Sequence, residues 1–412
     1  MNFSHAKYNL YEGNKGSLDV SAQLQTALFS QSHSNFGAPT KSDNIWWEVQ
    51  IEPSLKGHLN VYSNSQLYGE FSYIYAQTWG TDPLGYKGNI DRGLIEQAYI
   101  GWRSGKMFDY KENLIDISAG FQDYKIGHGF MIWNSGASGD IQPSYWLGGK
   151  HAFKNTVIIK ITTDILKLDL FTIESGKGLE MKGFNTEITP IHSTVLGFTY
   201  LNIKDLKMPN SIIDGMNVYD FRLDINNIPH FEDFSLMSEY ALEKNNNLVD
   251  SYAWYSSFSW KFSQFNWKPT VTYRYAFFKG DDPSSKISES YVPLRYAFTD
   301  WNSWYIGEIM GEYIGPWNSN LKTHTLSLKV HPTKDLMIGL FILRFTIDQP
   351  ESIGVESTHY ADEIDFVVDW KINNSFSTSF VLADAIPGKA AAEHLGGNKN
   401  WLLGMLYGKY TF

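Results

Sequence analysis

Charged residues in this chain recur at every second position. Asp220, Arg222 and Asp224 do so, as do Glu363 and Asp365, with Asp369 and Lys371 in phase. Glu48 and Glu52 keep the same spacing around Gln50, and Arg103, Lys268 and Arg274 lie in similar alternating segments. Asp19, Lys56, Lys329 and Lys409 extend the set. Side chains two apart on an extended chain point the same way. The chemistry on offer is therefore electrostatic rather than catalytic. Facing a water-filled passage, such residues sort dissolved ions. Facing one another across strands, they form a structural ladder of opposite charges. The mixture of signs gives no focused field of either polarity.

Catalytic spacings are missing. The 11 His residues show no His-Glu-x-x-His pattern, and no Gly-x-Ser-x-Gly elbow or phosphate-cradling glycine loop appears. There is no cysteine, hence no disulfide framework and no thiolate metal site. The sequence predicts no metal, no cofactor and no enzyme. An outer-membrane hydrolase stays as an alternative, because triads are defined by geometry in space.

Two segments carry other candidate groups. Residues 127–150 hold Trp133, Asp140, Gln142, Tyr145 and Trp146. Aromatic faces with a few polar groups suit a saccharide, so this segment is expected to fold inward as a constriction; the plain alternative is a surface loop. Residues 280–318 hold Asp281, Asp282, Glu289, Asp300, Glu308 and Glu312 without calcium-loop spacing.

The elements that position these groups are strands. Leu18, Val20, Ala22 and Leu24 alternate with Asp19, Ser21, Gln23 and Gln25. Ile45, Trp47, Val49 and Ile51 alternate with Trp46, Glu48, Gln50 and Glu52. Ile364, Phe366, Val368 and Trp370 alternate with Glu363, Asp365 and Asp369. The last strand puts Phe412, Tyr410, Gly408, Leu406, Gly404 and Leu402 on one face and Thr411, Lys409 and Tyr407 on the other. Segments of about 10–14 residues exceed the usual soluble strand and match tilted membrane strands. Aromatics make up 16% of the 412 residues, as interfacial belts require. Mean hydropathy is only −0.30, which fits strands that are apolar on one face only. No apolar run approaches the roughly 20 residues of a membrane helix. The net charge of −10, without a basic patch, argues against nucleic acid.

The connections read as long and short in alternation. Long ones are expected at residues 30–44, 80–92 and 127–150, and tight turns near residues 60–65, 331–335 and 373–375. Parity demands that residues 280–318 form one loop rather than hide a strand. The expected fold is all-β: one domain spanning residues 1–412, a transmembrane antiparallel β-barrel of about 18 strands. A signal peptide is expected to have been removed, because the first residues are polar.

Leu94–Arg103, Ile117–Gln122 and Ile126–Gly129, together with the order Phe278–Pro283, Tyr291–Leu294, Trp301–Trp304 and Asn318–Leu321, resemble the alginate-export family of bacterial outer-membrane barrels. Phe121 stands where that family usually has Arg. The resemblance implies a porin-like channel in the bacterial outer membrane, surrounded by membrane lipid and lipopolysaccharide, that passes a small hydrophilic solute or saccharide. An exopolysaccharide secretion pore and an adhesion scaffold are the alternatives. Oligomeric state is left open.

Overall fold

The computed structural model describes residues 8–38, 43–81, 90–108, 110–133, 135, 144, 146–147, 152–191, 193–228, 231–296, 306–311, 313 and 318–412. The strands in chain order are β1 (Tyr8–Gly13), β2 (Gly16–Ser32), β3 (Asn44–Asn60), β4 (Gln66–Gly80), β5 (Ile90–Arg103), β6 (Ile115–Asp123) and β7 (Ala152–Thr162). There follow β8 (Leu166–Glu174), β9 (Leu179–Ile191), β10 (Thr194–Asp205), β11 (Asn217–Ile228), β12 (Phe231–Asn245) and β13 (Val249–Lys261). The last six are β14 (Thr270–Phe278), β15 (Leu321–Thr333), β16 (Leu336–Ile347), β17 (His359–Lys371), β18 (Phe376–Pro387) and β19 (Trp401–Thr411).

Each strand from β2 to β19 pairs antiparallel with the next, and β19 returns to β2 with Leu402 opposite Ser32 and Thr411 opposite Gln23. Eighteen strands thus form a closed wall with no free edge, the form in which a sheet can cross lipid. β1 stands outside that count. It folds back on β2, Tyr8 opposite Val20, and fills the edge that β19 leaves open. β14 pairs directly with β15, so residues 279–320 are a single connection and parity is even, as the sequence reading required.

Facing follows the period of two. Ile364, Phe366 and Trp370 are exposed, whereas Glu363 and Asp365 are fully buried. The same rule holds on β2, β3 and β19, where Leu28, Trp47 and Leu406 are exposed and Phe29, Trp46 and Met405 are buried. Exposed apolar side chains thus cover the outside of the wall, and a one-residue slip would turn every inward charge into it.

The rhythm of connections is looser than strict alternation. The connections 175–178 and 246–248 are short at the long-loop end, while those between β5 and β6 and between β13 and β14 are longer at the other. The 175–178 turn closes on Ser175 N–H donating to Leu179 O at 2.8 Å, with Gly178 at φ +86, where glycine carries no Cβ penalty.

The inward face differs more sharply from expectation. At the long-loop end it is apolar, with Trp401, Leu403 and Met405 of β19 and Phe341, Leu343 and Phe345 of β16 buried. Those side chains pack against chain that has folded into the barrel, among it Ile126, Phe130, Ile132, Leu147, Ile309 and Met310, all buried.

Candidate functional site

The barrel interior is built in two halves. The upper half holds parts of two inserted connections, residues 124–151 and 279–320. They pair with each other: Trp133 N–H donates to Arg295 O at 2.7 Å, and Arg295 N–H to Met131 O at 2.8 Å, around a parallel bridge between Ile132 and Arg295. Phe130 packs among Tyr255 and Phe278 of the wall and Tyr291 of the second connection, with centroid distances of 5.2, 5.8 and 6.3 Å. Trp146 meets Phe29 at 5.5 Å and Tyr407 at 5.6 Å. Such aromatic pairs each add about 0.5–1.5 kcal/mol beyond burial.

Wall carboxylates fasten both insertions by their backbones. Glu48 accepts from Trp146 N–H at 2.9 Å, Leu147 N–H at 2.6 Å and the Trp46 indole at 3.2 Å. Glu363 accepts from Ile309 N–H at 2.7 Å and Met310 N–H at 2.9 Å. Glu243 holds Val292 N–H at 2.9 Å, and Glu96 holds the N–H of Ala152, the first residue of β7 after the insertion, at 3.2 Å. Gly307–Gly311 make a helical turn, Gly311 N–H returning to Gly307 O, and Tyr313 N–H returns to Ile309 O. The first amides of such a turn have no partner within it, and the wall carboxylate supplies one. Glu48 and Glu363 receive donors on both carboxylate oxygens, as burial favours.

A second cluster lies on β9–β12. The Arg222 guanidinium contacts Asp220 and the Asn185 side chain and donates to Thr199 Oγ1 at 2.8 Å. The side chain passes close to Gly197 and Gly127: an added Cβ would come within 2.7 Å of the guanidinium at Gly197 and within 2.6 Å of Arg222 Cδ at Gly127. His128 Nε2 meets Asp224 Oδ2 at 2.9 Å, tying the first insertion to β11.

The lower half of the interior is charged and more exposed. Lys56 pairs with Glu70 at 3.0 Å, Arg103 with Asp116 at 3.1 Å, and Lys167 with Glu187 at 3.6 Å. The Arg103 guanidinium also stacks 4.0 Å from the Tyr68 ring. Ser379 Oγ donates to Asp369 at 2.6 Å.

The residues singled out from sequence therefore separate into groups. Glu48, Asp220, Arg222, Glu363 and Asp365 are on the inward face but covered, with at most 6% exposure. They are not open lining, because the insertions lie over them. Glu52, Arg103, Asp224, Arg274, Asp369 and Lys371 are half-buried at or below mid-wall. Lys268 is not on the wall at all: it sits exposed in the turn before β14, with φ +43, since that strand begins only at Thr270. Trp133 packs under the Lys125 ammonium at 3.5 Å, and Trp146 lies in the inserted core. Asp140, Gln142 and Tyr145 fall outside the described residues, as do Asp300 and Glu312.

Sequence reasoning missed Glu96, Glu239 and Glu243. The two on β12 keep the inward parity of Ala241, a signal that was present. Gly127 and Gly307 gave no signal. Among the described residues no group of three could hold a metal ion. Asp281 and Asp282 instead cap their own loop, accepting from Glu289 N–H at 2.7 Å and Ser284 N–H at 2.8 Å. Among the described residues one Ser–His contact faces the lower chamber, Ser17 Oγ to His58 Nδ1 at 3.0 Å.

A closed eighteen-strand antiparallel wall, apolar outside and charged within, defines a transmembrane β-barrel. No family model and no curated protein sequence matches this chain, so the resemblance to alginate-export barrels gains no support there. Solved structures do match. Acinetobacter baumannii OccAB4 is 12% identical with a TM-score of 0.64, covering 97% of this chain and 99% of that one. Pseudomonas aeruginosa OccK5 (OpdH) is 9% identical with a TM-score of 0.61, covering 95% and 98%. The outer membrane protein OprD from Pseudomonas aeruginosa is 10% identical with a TM-score of 0.59, covering 100% and 97%. At such identity the likeness establishes the fold.

Proposed function

We propose that this chain is a bacterial outer-membrane channel for small hydrophilic solutes, small organic ions or saccharides, with its bore set by the two inserted connections. The observation that carries this reading is the division of the interior. Wall carboxylates hold the insertions across the upper half, and below them the lining is charged and wet. A closed barrel with lipid on its outside needs such an inside only if water and solutes enter it. The shared fold with an outer membrane protein supports the location.

The lower lining is mixed in sign, which suits solutes admitted by size and local hydrogen bonding rather than by one polarity. Secretion of a polymer on the alginate-export pattern is disfavoured by the same division, because a polymer needs a continuous open bore. Liposome swelling with purified protein tests the proposal. Swelling rates should fall steeply with solute size across a series of amino acids, mono- and disaccharides. Rates equal to those of protein-free liposomes for every solute would overturn it.

A further inference from the structure

The outer wall over β2–β6 carries a trough that transport through the interior does not use. Hydrogen-bonded register places Leu18, Gly57, Gly69, Ile100 and Ala119 in one row across five strands. The row beneath it carries Leu59, Leu67, Trp102 and Ile117, and the row above it Leu55 and Phe71. Leu55, Leu59, Leu67, Phe71 and Ile117 are all exposed. Two adjacent glycines between rows of large side chains leave a depression about 10 Å across, given strands roughly 4.8 Å apart. Its volume is about 830 Å³.

We propose that this trough seats an acyl chain of an anionic phospholipid from the periplasmic leaflet. The proposal rests on the outer-membrane reading for its orientation, with short turns at the periplasmic end. Three observations select the occupant. The trough opens onto hydrocarbon and its walls are apolar, so only an apolar group enters. It is concave, so the same patch on a symmetry-related copy would leave a void rather than fill it. Cations stand at its lower rim: Lys15, exposed, accepts Asn60 N–H at 2.8 Å next to the trough residue Leu59, and exposed Lys106 donates its N–H to Ser63 O at 3.0 Å. Exposed Tyr62 and half-exposed Trp102 stand toward the same rim, where amphipathic rings meet headgroups. Lys15 and Lys106 supply the positive charge with which a lipid phosphate pairs.

Native mass spectrometry of the detergent-purified protein, titrated with phosphatidylglycerol or phosphatidylcholine, tests this. The expected result is one retained phosphatidylglycerol, with at least tenfold weaker retention in Ala119→Phe and in Gly57→Leu, both of which fill the trough. Lys15→Gln with Lys106→Gln should erase the preference over phosphatidylcholine. Ala119→Phe adds bulk only toward lipid, and heat-modifiable gel mobility verifies that each variant is folded. Equal retention by the filled variants overturns the seat. Equal retention of both lipids by the native chain overturns the anionic headgroup. An oligomer that dissociates on Ala119→Phe, without lipid loss, assigns the trough to a second copy instead. Because the readout is lipid mass, a protein that fails in liposome swelling yet retains phosphatidylglycerol leaves this inference standing.

Discussion

The carboxylate of Glu363 on β17 accepts the backbone N–H of Ile309 at 2.7 Å, across 54 positions of sequence. With Met310 N–H at 2.9 Å it caps the first amides of a helical turn. Glu48 on β3, four strands further round the wall, treats Trp146 and Leu147 the same way. On the channel reading proposed above, these covered wall residues set the bore by holding the insertions.

Removing an anchor should release its insertion. Glu363→Ala leaves two buried amides without acceptors, at about 1–3 kcal/mol each. The 306–313 segment should then exchange its amide hydrogens faster, with the rest of the barrel unchanged. Exchange as slow as in the parent would show that packing of Ile309 and Met310 suffices.

Gly307→Ala should act through the same contact. Gly307 has φ +101, and a Cβ there would stand 2.9 Å from both Glu363 carboxylate oxygens. Strain of this kind costs about 1–3 kcal/mol. Urea titration in detergent should show a lowered midpoint; an unchanged midpoint would mean that the turn is loosely held.

Wall facing has a direct stability test. Val368→Arg turns a charge toward lipid and should cost about 2–4 kcal/mol near the midplane, whereas Asp369→Arg, the next residue and on the opposite face, should cost much less. Equal losses in reversible unfolding from lipid would remove the assignment of β17.

These facings were legible in the sequence because a period of two survives any tertiary context. Glu363 and Asp369 share parity, and parity alone cannot tell that one is covered and the other wet. That distinction comes from the insertions, whose inward fold depends on contacts a hundred residues away. The apolar inward face of Trp401, Leu403 and Met405 carried a trace of it, since a wholly wet lumen would not tolerate those residues. Lys268 was misplaced for a local reason: the alternation runs on through the turn, while pairing begins at Thr270.

Outside the membrane, acid should loosen one loop. Glu393, in the short helix Lys389–Leu395, accepts from Ser357 N–H at 3.1 Å, Ser357 Oγ at 3.0 Å and Glu356 N–H at 2.9 Å. The Ser357 amide, with these other donors, holds its carboxyl below the usual glutamate value. A depressed folded value means that the contact stabilises fully above the unfolded value of about 4.3 and is lost as pH falls through the lower, folded one. Protease cleavage within residues 350–358 should therefore rise in the parent as pH falls below the usual glutamate range and be high at every pH in Glu393→Ala. A pH-independent parent would show that the carboxylate does not hold the loop.

Single-channel conductance in planar bilayers tests the central claim most directly. The intact protein should give a small, steady conductance, and deletion of residues 133–147, which takes away the Glu48 contacts, should give a larger one with weaker discrimination by solute size. Absence of conductance in both forms, with folding verified, would contradict the claim that the insertions narrow an open water path.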